Sequence, residues 1–195
     1  MMRGGQKMKP CSAIGTLWGI SILVFAGVLF AESGNVESGD PETTMWKNAG
    51  YEVPLVVKRA PDVHLRGMDG SDVNASLQDR IVILHFWATF CAPCRAEMHE
   101  LDQLQKHFKR ENLLIVAISI DSHDGAVKNF MEREKLRDIL IVRDPSTALR
   151  DSYAIDAIPM SYVIVDGRIR ARIRGTGNWA PKFWKAMLDR FLNIS

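Results

Sequence analysis

Two cysteines separated by two residues, Cys91 and Cys94, are the residues of this chain whose types and spacing could do chemistry. They follow a largely apolar run, 81–87, and a helical pattern begins at the second cysteine. A strand that leads into a helix through this spacing can place one thiol at the helix N-terminus, where unpaired N–H groups and the helix dipole favour a thiolate. Because the thiolate is the form that attacks disulfides, the pattern predicts a redox-active pair.

The third cysteine, Cys11, lies before a hydrophobic stretch, so the rest of the chain holds no further thiol that could form a structural disulfide with the pair. Two thiols kept for each other are typical of a redox centre. The 195 residues predict one globular domain with an appendage. A net charge of +2 gives no reason to expect a nucleic-acid partner.

The N-terminal region has the composition of a membrane-targeting segment. Residues 1–12 are basic, and residues 13–31 form 19 uncharged, mostly apolar residues, close to the roughly 20 that span a bilayer. Basic residues before the stretch and acidic ones after it favour a cytoplasmic N-terminus. We expect a transmembrane anchor, with a cleaved signal peptide as the alternative. Both place the main domain outside the cytoplasm, and an anchor implies the inner membrane with the soluble domain in the periplasm or a comparable space.

The elements that must position the cysteines alternate between strands and helices. Residues 32–52 are polar and indicate a linker, so the domain is expected to cover 53–195. Asp69-Gly70 marks the turn of an early hairpin. Alternating arginines over 168–174 predict an edge or half-exposed strand. Together these patterns predict an α/β fold with a mixed central sheet flanked by helices. The expected strands are 81–87, 113–120, 139–142, 161–165 and 168–174, and the expected helices are 93–110, 125–135, 146–153 and 181–192.

Residues 86–98 (FWATFCAPCRAEM) closely resemble the active site of membrane-anchored thioredoxin-like proteins of the TlpA/ResA type. Residues 60–70 resemble the N-terminal hairpin of that family, 153–159 the segment leading to its cis-proline loop, and 163–167 the hairpin that follows. The resemblance spans about 60–192 in the right order, which is more specific than an isolated cysteine pair. It implies a thioredoxin-like fold with an N-terminal hairpin extension and the activity of a thiol-disulfide oxidoreductase.

The resemblance also implies roles for individual residues. Cys91 is the exposed attacking thiol and Cys94 the resolving thiol, and their disulfide is the only redox group expected, with no cofactor. Pro159 is the cis-proline that faces them, and Glu97 matches a glutamate proposed to take part in proton transfer. The residues expected to contact substrate are Trp87, Pro93 and Ile158.

Three positions depart from the thioredoxin or family pattern. His85 stands where thioredoxin has a buried aspartate; it could assist proton transfer, but a satisfied core histidine is the commoner case. Phe90 replaces the usual tryptophan before the first cysteine, which keeps an apolar rim and loses an N–H donor. Met160 and Ser161 follow the proline where threonines are common, so the preferred substrate stays open.

Other uses of a cysteine pair fit less well. Structural zinc needs four ligands, and His99 and His107 on the following helix do not complete a set, so we expect no metal. Haem attachment needs a histidine after the second cysteine, where this chain has Arg95. Peroxidase chemistry in related folds uses Thr-x-x-Cys, whereas Thr89 is only two residues before Cys91.

We therefore predict an enzyme that reduces disulfides of exported proteins, such as apocytochrome c during cytochrome c biogenesis. The resemblance implies protein disulfide or dithiol substrates and a membrane-embedded electron donor, and we expect a monomer. Two alternatives remain: a thiol oxidase of the same fold, and a non-catalytic anchored module that binds an envelope assembly partner. The residues between the cysteines do not fix the reduction potential, which depends on local electrostatics.

Overall fold

The computed structural model of the protein describes residues 40–68, 70–75 and 77–192. The helices described there are α1 (Pro41–Asn48), α2 (Ala92–His107), α3 (Asp124–Glu134), α4 (Ala148–Ser152) and α5 (Pro181–Leu192). The strands are β1 (Val63–Arg66), β2 (Asp72–Ala75), β3 (Ile81–Trp87), β4 (Leu113–Ser119), β5 (Leu140–Arg143), β6 (Met160–Val165) and β7 (Arg168–Arg174). Each strand and helix expected from 81 onwards is present, with ends shifted by at most a few residues.

The central sheet has the strand order β5-β4-β3-β6-β7. Strands β3, β4 and β5 run parallel, whereas β6 is antiparallel to β3 and to β7. This is the mixed sheet that the sequence predicts. The hairpin of β1 and β2 is the expected N-terminal extension, and Gly67 joins it to Val142 of β5 through an isolated bridge. The turn residue Asp69 lies outside the described residues.

Strand β3 divides the core because its side chains alternate between the two faces of the sheet. Ile81, Ile83 and Trp87 join one buried apolar cluster, which also contains both cysteines of the pair. Val82, Leu84 and Phe86 join a second cluster on the opposite face. Every residue of β3 is buried, as expected for a strand covered on both faces. The cysteines therefore follow a strand that is fixed from both sides.

The structure corrects the prediction that residues 32–52 form a linker. The second half of this segment is part of the folded domain. Asp40 caps α1 by accepting hydrogen bonds from the backbone N–H groups of Glu42 (2.6 Å) and Thr43 (3.2 Å). Trp46 on this helix is fully buried beside Tyr51. Removing a buried ring of this size typically costs about 3–5 kcal/mol. The polar composition of this segment concealed a capped helix whose Trp46 joins the core, with Met45 packed against the same cluster.

The predictions for residues 1–12 and 13–31, and for the first part of the linker, fall outside the described residues. Among the residues that the structure does describe, no helix has the length and apolar character needed to cross a membrane. The arginine-rich strand β7 is at the edge of the sheet, as predicted, and Arg172 and Arg174 form ion pairs with Glu52 and Asp156.

Candidate active site

The cysteine pair begins helix α2. Cys91 is the N-cap residue, with extended backbone angles, and its sulfur accepts the backbone N–H of Cys94 at 3.3 Å. Pro93 lies in the first helical turn, where its missing N–H costs no hydrogen bond. The two sulfurs form a disulfide. When the bond is reduced, the same N–H and the helix dipole favour a thiolate at Cys91.

The turn before Cys91 is held by a buried carboxylate from the next strand. Asp121 follows β4 and accepts hydrogen bonds from the backbone N–H of Thr89 (2.9 Å) and from its hydroxyl (2.6 Å). The hydroxyl of Ser119 donates to the same carboxylate at 2.7 Å. Arg95 completes the arrangement by donating to the carbonyl of Thr89 at 2.9 Å, rather than extending freely into solvent. These bonds hold the backbone two residues before the reactive sulfur.

The two cysteines differ in accessibility. Cys91 is 8% exposed and Cys94 is fully buried, so a partner reaches the first sulfur. Phe90, directly before Cys91, is 71% exposed and forms an apolar rim beside it. Pro93, two residues after Cys91, is also exposed, and Ile158 is half-buried. This asymmetry is the one that attack by Cys91 and resolution by Cys94 require.

Pro159 lies at the same end of the sheet as the cysteine turn. Its peptide bond with Ile158 is cis, as the resemblance implied. The next residue, Met160, pairs with Phe86 near the end of β3, which places Pro159 beside the segment that leads to Cys91. The carbonyl of Pro159 accepts the N–H of Gly175 at 2.8 Å. The proline loop is thus tied to the edge strand behind it.

The structure corrects the expectation that Trp87 contacts substrate. Its side chain is fully buried and packs against Phe130, with ring centroids 5.1 Å apart. A ring without exposed surface offers nothing to a docking partner. Trp87 supports the active-site turn from the core, and Phe90 supplies the exposed aromatic surface at this site.

Glu97 is a buried carboxylate, not part of a solvated helix face. It is 4% exposed, and its Oε1 accepts the backbone N–H of Gly177 and the indole N–H of Trp179, each at 2.6 Å. Among the described residues, Oε2 has no hydrogen-bond partner. Burial raises the pKa of Glu97 above its ordinary value of 4.5, and the two hydrogen bonds oppose that shift. Glu97 and Cys94 are three residues apart and therefore share one face of α2.

His85 is a core histidine with one satisfied nitrogen. Its Nδ1 lies 2.9 Å from the hydroxyl of Ser161, and Nε2 has no partner among the described residues. Burial lowers the pKa of His85 to about 3, so the ring is neutral at physiological pH. The ring meets Trp179 edge-on at 6.2 Å between centroids.

Sequence reasoning missed Asp121 and Trp179. Asp121 comes directly after a buried parallel strand, and the carboxyl ends of neighbouring parallel strands meet at one edge of the sheet, so its position was a usable signal. Trp179 is 82 residues from Glu97, and no local pattern connects the two.

Comparisons with known proteins agree with this geometry. A model of the AhpC/TSA family matches residues 56–172. Thiol-disulfide oxidoreductase ResA of Oceanobacillus iheyensis is 30% identical over 162 residues, covering 80% of this chain and 78% of that protein. A solved thiol:disulfide interchange protein of the thioredoxin family from Chlorobium tepidum has a TM-score of 0.60 at 28% identity, covering 67% of this chain and 96% of that one. StoA from Bacillus subtilis shares the fold, with a TM-score of 0.56 at 21% identity, covering 66% of this chain and 95% of its own.

Proposed function

Because this chain belongs to the AhpC/TSA family and is a thiol-disulfide oxidoreductase of the ResA type, we propose that it reduces disulfides of exported proteins, with apocytochrome c as a substrate. Cys91 and Cys94 carry the exchange. Glu97 handles the proton of Cys94, and Pro159, itself buried, sets the course of the exposed segment before it, on which a partner strand docks. The observation that carries the proposal is the asymmetry of the pair, with Cys91 at the helix N-terminus and Cys94 fully buried behind it.

The proposed reaction begins with the reduced enzyme. The Cys91 thiolate attacks one sulfur of the partner disulfide, forming a mixed disulfide and releasing the partner's other sulfur as a thiolate. Cys94 gives its proton to Glu97 and attacks the sulfur of Cys91. The second partner sulfur leaves as a thiolate, and the Cys91–Cys94 disulfide forms. Two electrons have passed to the partner, and a dithiol donor must then reduce the enzyme disulfide.

Substrate docking uses the exposed surface around Cys91. Phe90 precedes Cys91 and Pro93 follows two residues after it, both exposed, and Ile158 precedes the cis-proline. Since the Pro159 carbonyl is already bonded to Gly175, a partner strand pairs with the residues before the proline. An exposed apolar rim beside the reactive sulfur suits an unfolded or flexible polypeptide, such as an apoprotein before cofactor attachment.

The cellular setting is also part of the proposal. The apolar stretch 13–31 serves as the membrane anchor, and the oxidoreductase domain works as a monomer in the periplasm or a comparable space. A membrane-embedded dithiol protein supplies the electrons. This setting is supported by the charge distribution around residues 13–31.

Trapping of mixed disulfides tests the exchange mechanism. In a Cys11→Ser background, Cys94→Ser should accumulate a mixed disulfide with oxidised apocytochrome c, because its Cys91 can attack but the mixed disulfide cannot be resolved. The matched variant Cys91→Ser should accumulate none, since the buried thiol of Cys94 is not reached. Failure of the protein with both cysteines to exchange with any disulfide or dithiol would refute the function.

The direction of electron flow is tested by the reduction potential of the pair. A value near that of thioredoxin, about −270 mV, supports a reductase, whereas a value near about −120 mV indicates an oxidase. The measurement is equilibration with glutathione or thioredoxin buffers, followed by quantification of free thiols. An oxidising value would replace reduction of exported proteins with thiol oxidation as the function.

A further inference from the structure

The loop between β7 and α5 closes over the carboxylate of Glu97. Gly177 and Trp179 both donate to Oε1, while Oε2 is buried and has no partner among the described residues. We propose that Trp179 is a positioning residue for the second half of the exchange: it holds one oxygen of Glu97 so that the other takes the proton of Cys94. This inference rests on the proposed function.

The loop is built for a close approach to the carboxylate. A Cβ atom added to Gly177 would lie 2.6 Å from a ring carbon of Trp179 and 2.7 Å from Ile173. Glycine is therefore what lets the backbone N–H and the indole N–H reach the same oxygen. The Trp179 ring is itself fixed, since it stacks on Trp184 at 12° and 6.0 Å between centroids. Two donors on a rigid loop give the carboxylate one orientation.

The ionisable groups near Glu97 affect its pKa less than burial and these two hydrogen bonds do. Tyr51 comes from the segment after α1, and burial, with a smaller contribution from Glu97, raises the pKa of its hydroxyl. His85 lies across Trp179 and is neutral, because burial lowers its pKa to about 3. Glu100 on the same helix raises the pKa of Glu97 slightly. Burial raises the pKa of Glu97 and so makes it a better base, while the two donors oppose that rise by stabilising the carboxylate form.

The step is a proton transfer coupled to one bond exchange. The S–H proton of Cys94 moves to Oε2 of Glu97, the Cys94 sulfur bonds to Cys91, and the bond between Cys91 and the partner breaks. The partner sulfur leaves with the electron pair. Loss of the indole donor destabilises the carboxylate form of Glu97, so deprotonation requires a higher pH.

Ellman's reagent separates the two half-reactions in the full-length chain. The background Cys11→Ser leaves only two thiols. The reduced protein releases one chromophore when Cys91 attacks the reagent and a second when Cys94 resolves the mixed disulfide. For Trp179→Phe, the pH midpoint of the second phase should rise by about one pH unit, and that of the first phase should not move.

Two further variants show whether the shift in the second-phase midpoint comes from the bond between Trp179 and Glu97. Trp46→Phe is the matched control, because Trp46 is a buried tryptophan of the same apolar cluster whose Nε1 has no partner among the described residues. It should leave both midpoints in place. In a Glu97→Gln background, Trp179→Phe should produce no further shift, because residues that act through one group are not additive.

If Trp179→Phe does not fold, benzothienylalanine at position 179 replaces the indole N–H with sulfur and keeps the ring shape. Overlapping second-phase profiles of the parent and Trp179-substituted proteins would overturn the inference, as would a shift that persists in the Glu97→Gln background. Either result differs from failure of the proposed function, in which the parent protein shows no second phase.

Discussion

Two buried carboxylates flank the cysteine turn, and they are used differently. Asp121 is 6% exposed and Glu97 is 4% exposed, so both are removed from solvent. Both oxygens of Asp121 accept hydrogen bonds, three in all, from Thr89 and Ser119. Glu97 accepts two on one oxygen and, among the described residues, none on the other. A carboxylate with both oxygens engaged positions backbone, whereas one with a spare oxygen is able to bind a proton.

The difference follows from the partners that each carboxylate meets. Thr89 and Ser119 donate from a turn and a strand end that the sheet already holds together, so Asp121 completes an existing arrangement. Glu97 projects from α2 into an apolar cluster containing Trp179 and Trp184, where donors are few. A buried carboxylate oxygen without a partner is costly in such surroundings, and proton transfer would account for why Oε2 is left open.

The largest expected effect separates the two carboxylates kinetically. Glu97→Gln should slow the second phase of the reaction with Ellman's reagent by about 100-fold at neutral pH, the scale of a lost general base. Asp121→Asn is the matched change, and its second phase should keep the pH midpoint of the parent. Equal slowing of that phase in both variants would remove the distinction between a positioning and a proton-carrying carboxylate.

The next effect concerns stability, for which the Asp121 substitution should have a larger effect than the Glu97 substitution. Asp121→Asn should lower the free energy of unfolding by about 2 kcal/mol, because hydrogen bonds to a charged acceptor are stronger than those to an amide. Glu97→Gln should change it by less than about 1 kcal/mol at neutral pH, since Oε1 keeps its donors and a buried charge is removed. Urea unfolding of the oxidised proteins measures both values. A larger loss for Glu97→Gln would show that Glu97 is the structural member of the pair.

The sequence predicts the turn itself well, because its signals are local. The apolar run before Cys91, the helical spacing after it, and the Ile-Pro context of Pro159 each lie within a few residues of the feature they indicate. Strand and helix ends from β3 to α5 follow for the same reason. Helix α1 also has a local signal, because Asp40 is followed by a proline at the first helical position. The polar composition of the segment nevertheless led to the prediction of a linker, since Trp46 alone did not indicate a buried face.

The surroundings of the turn are less predictable because they depend on contacts between distant segments. Thr89 and Asp121 are 32 residues apart, and Glu97 and Trp179 are 82 apart. One sequence does not show which polar residue meets which donor after folding. The resemblance pointed to Glu97 as a proton carrier, but its burial and its two donors come from the packing of the loop before α5.

The smallest effect tests the protonation of Glu97 without any reaction. Burial raises the folded-state pKa of Glu97 above 4.5, so between 4.5 and the raised value the folded protein holds a proton that the unfolded chain has released. Unfolding then releases protons, and stability falls as the pH rises through that window. Glu97→Gln lacks this loss, so its stability relative to the parent should increase with pH by at most about 1.4 kcal/mol per unit. Below pH 4.5 the difference in stability between the two proteins should be constant.

His85 has a lowered pKa, so its contribution to stability changes with pH in the opposite direction, but both proteins contain it and its contribution cancels. A difference that does not change with pH would mean that folding leaves the proton affinity of Glu97 unaltered, and the contrast with Asp121 would then rest on hydrogen-bond geometry alone.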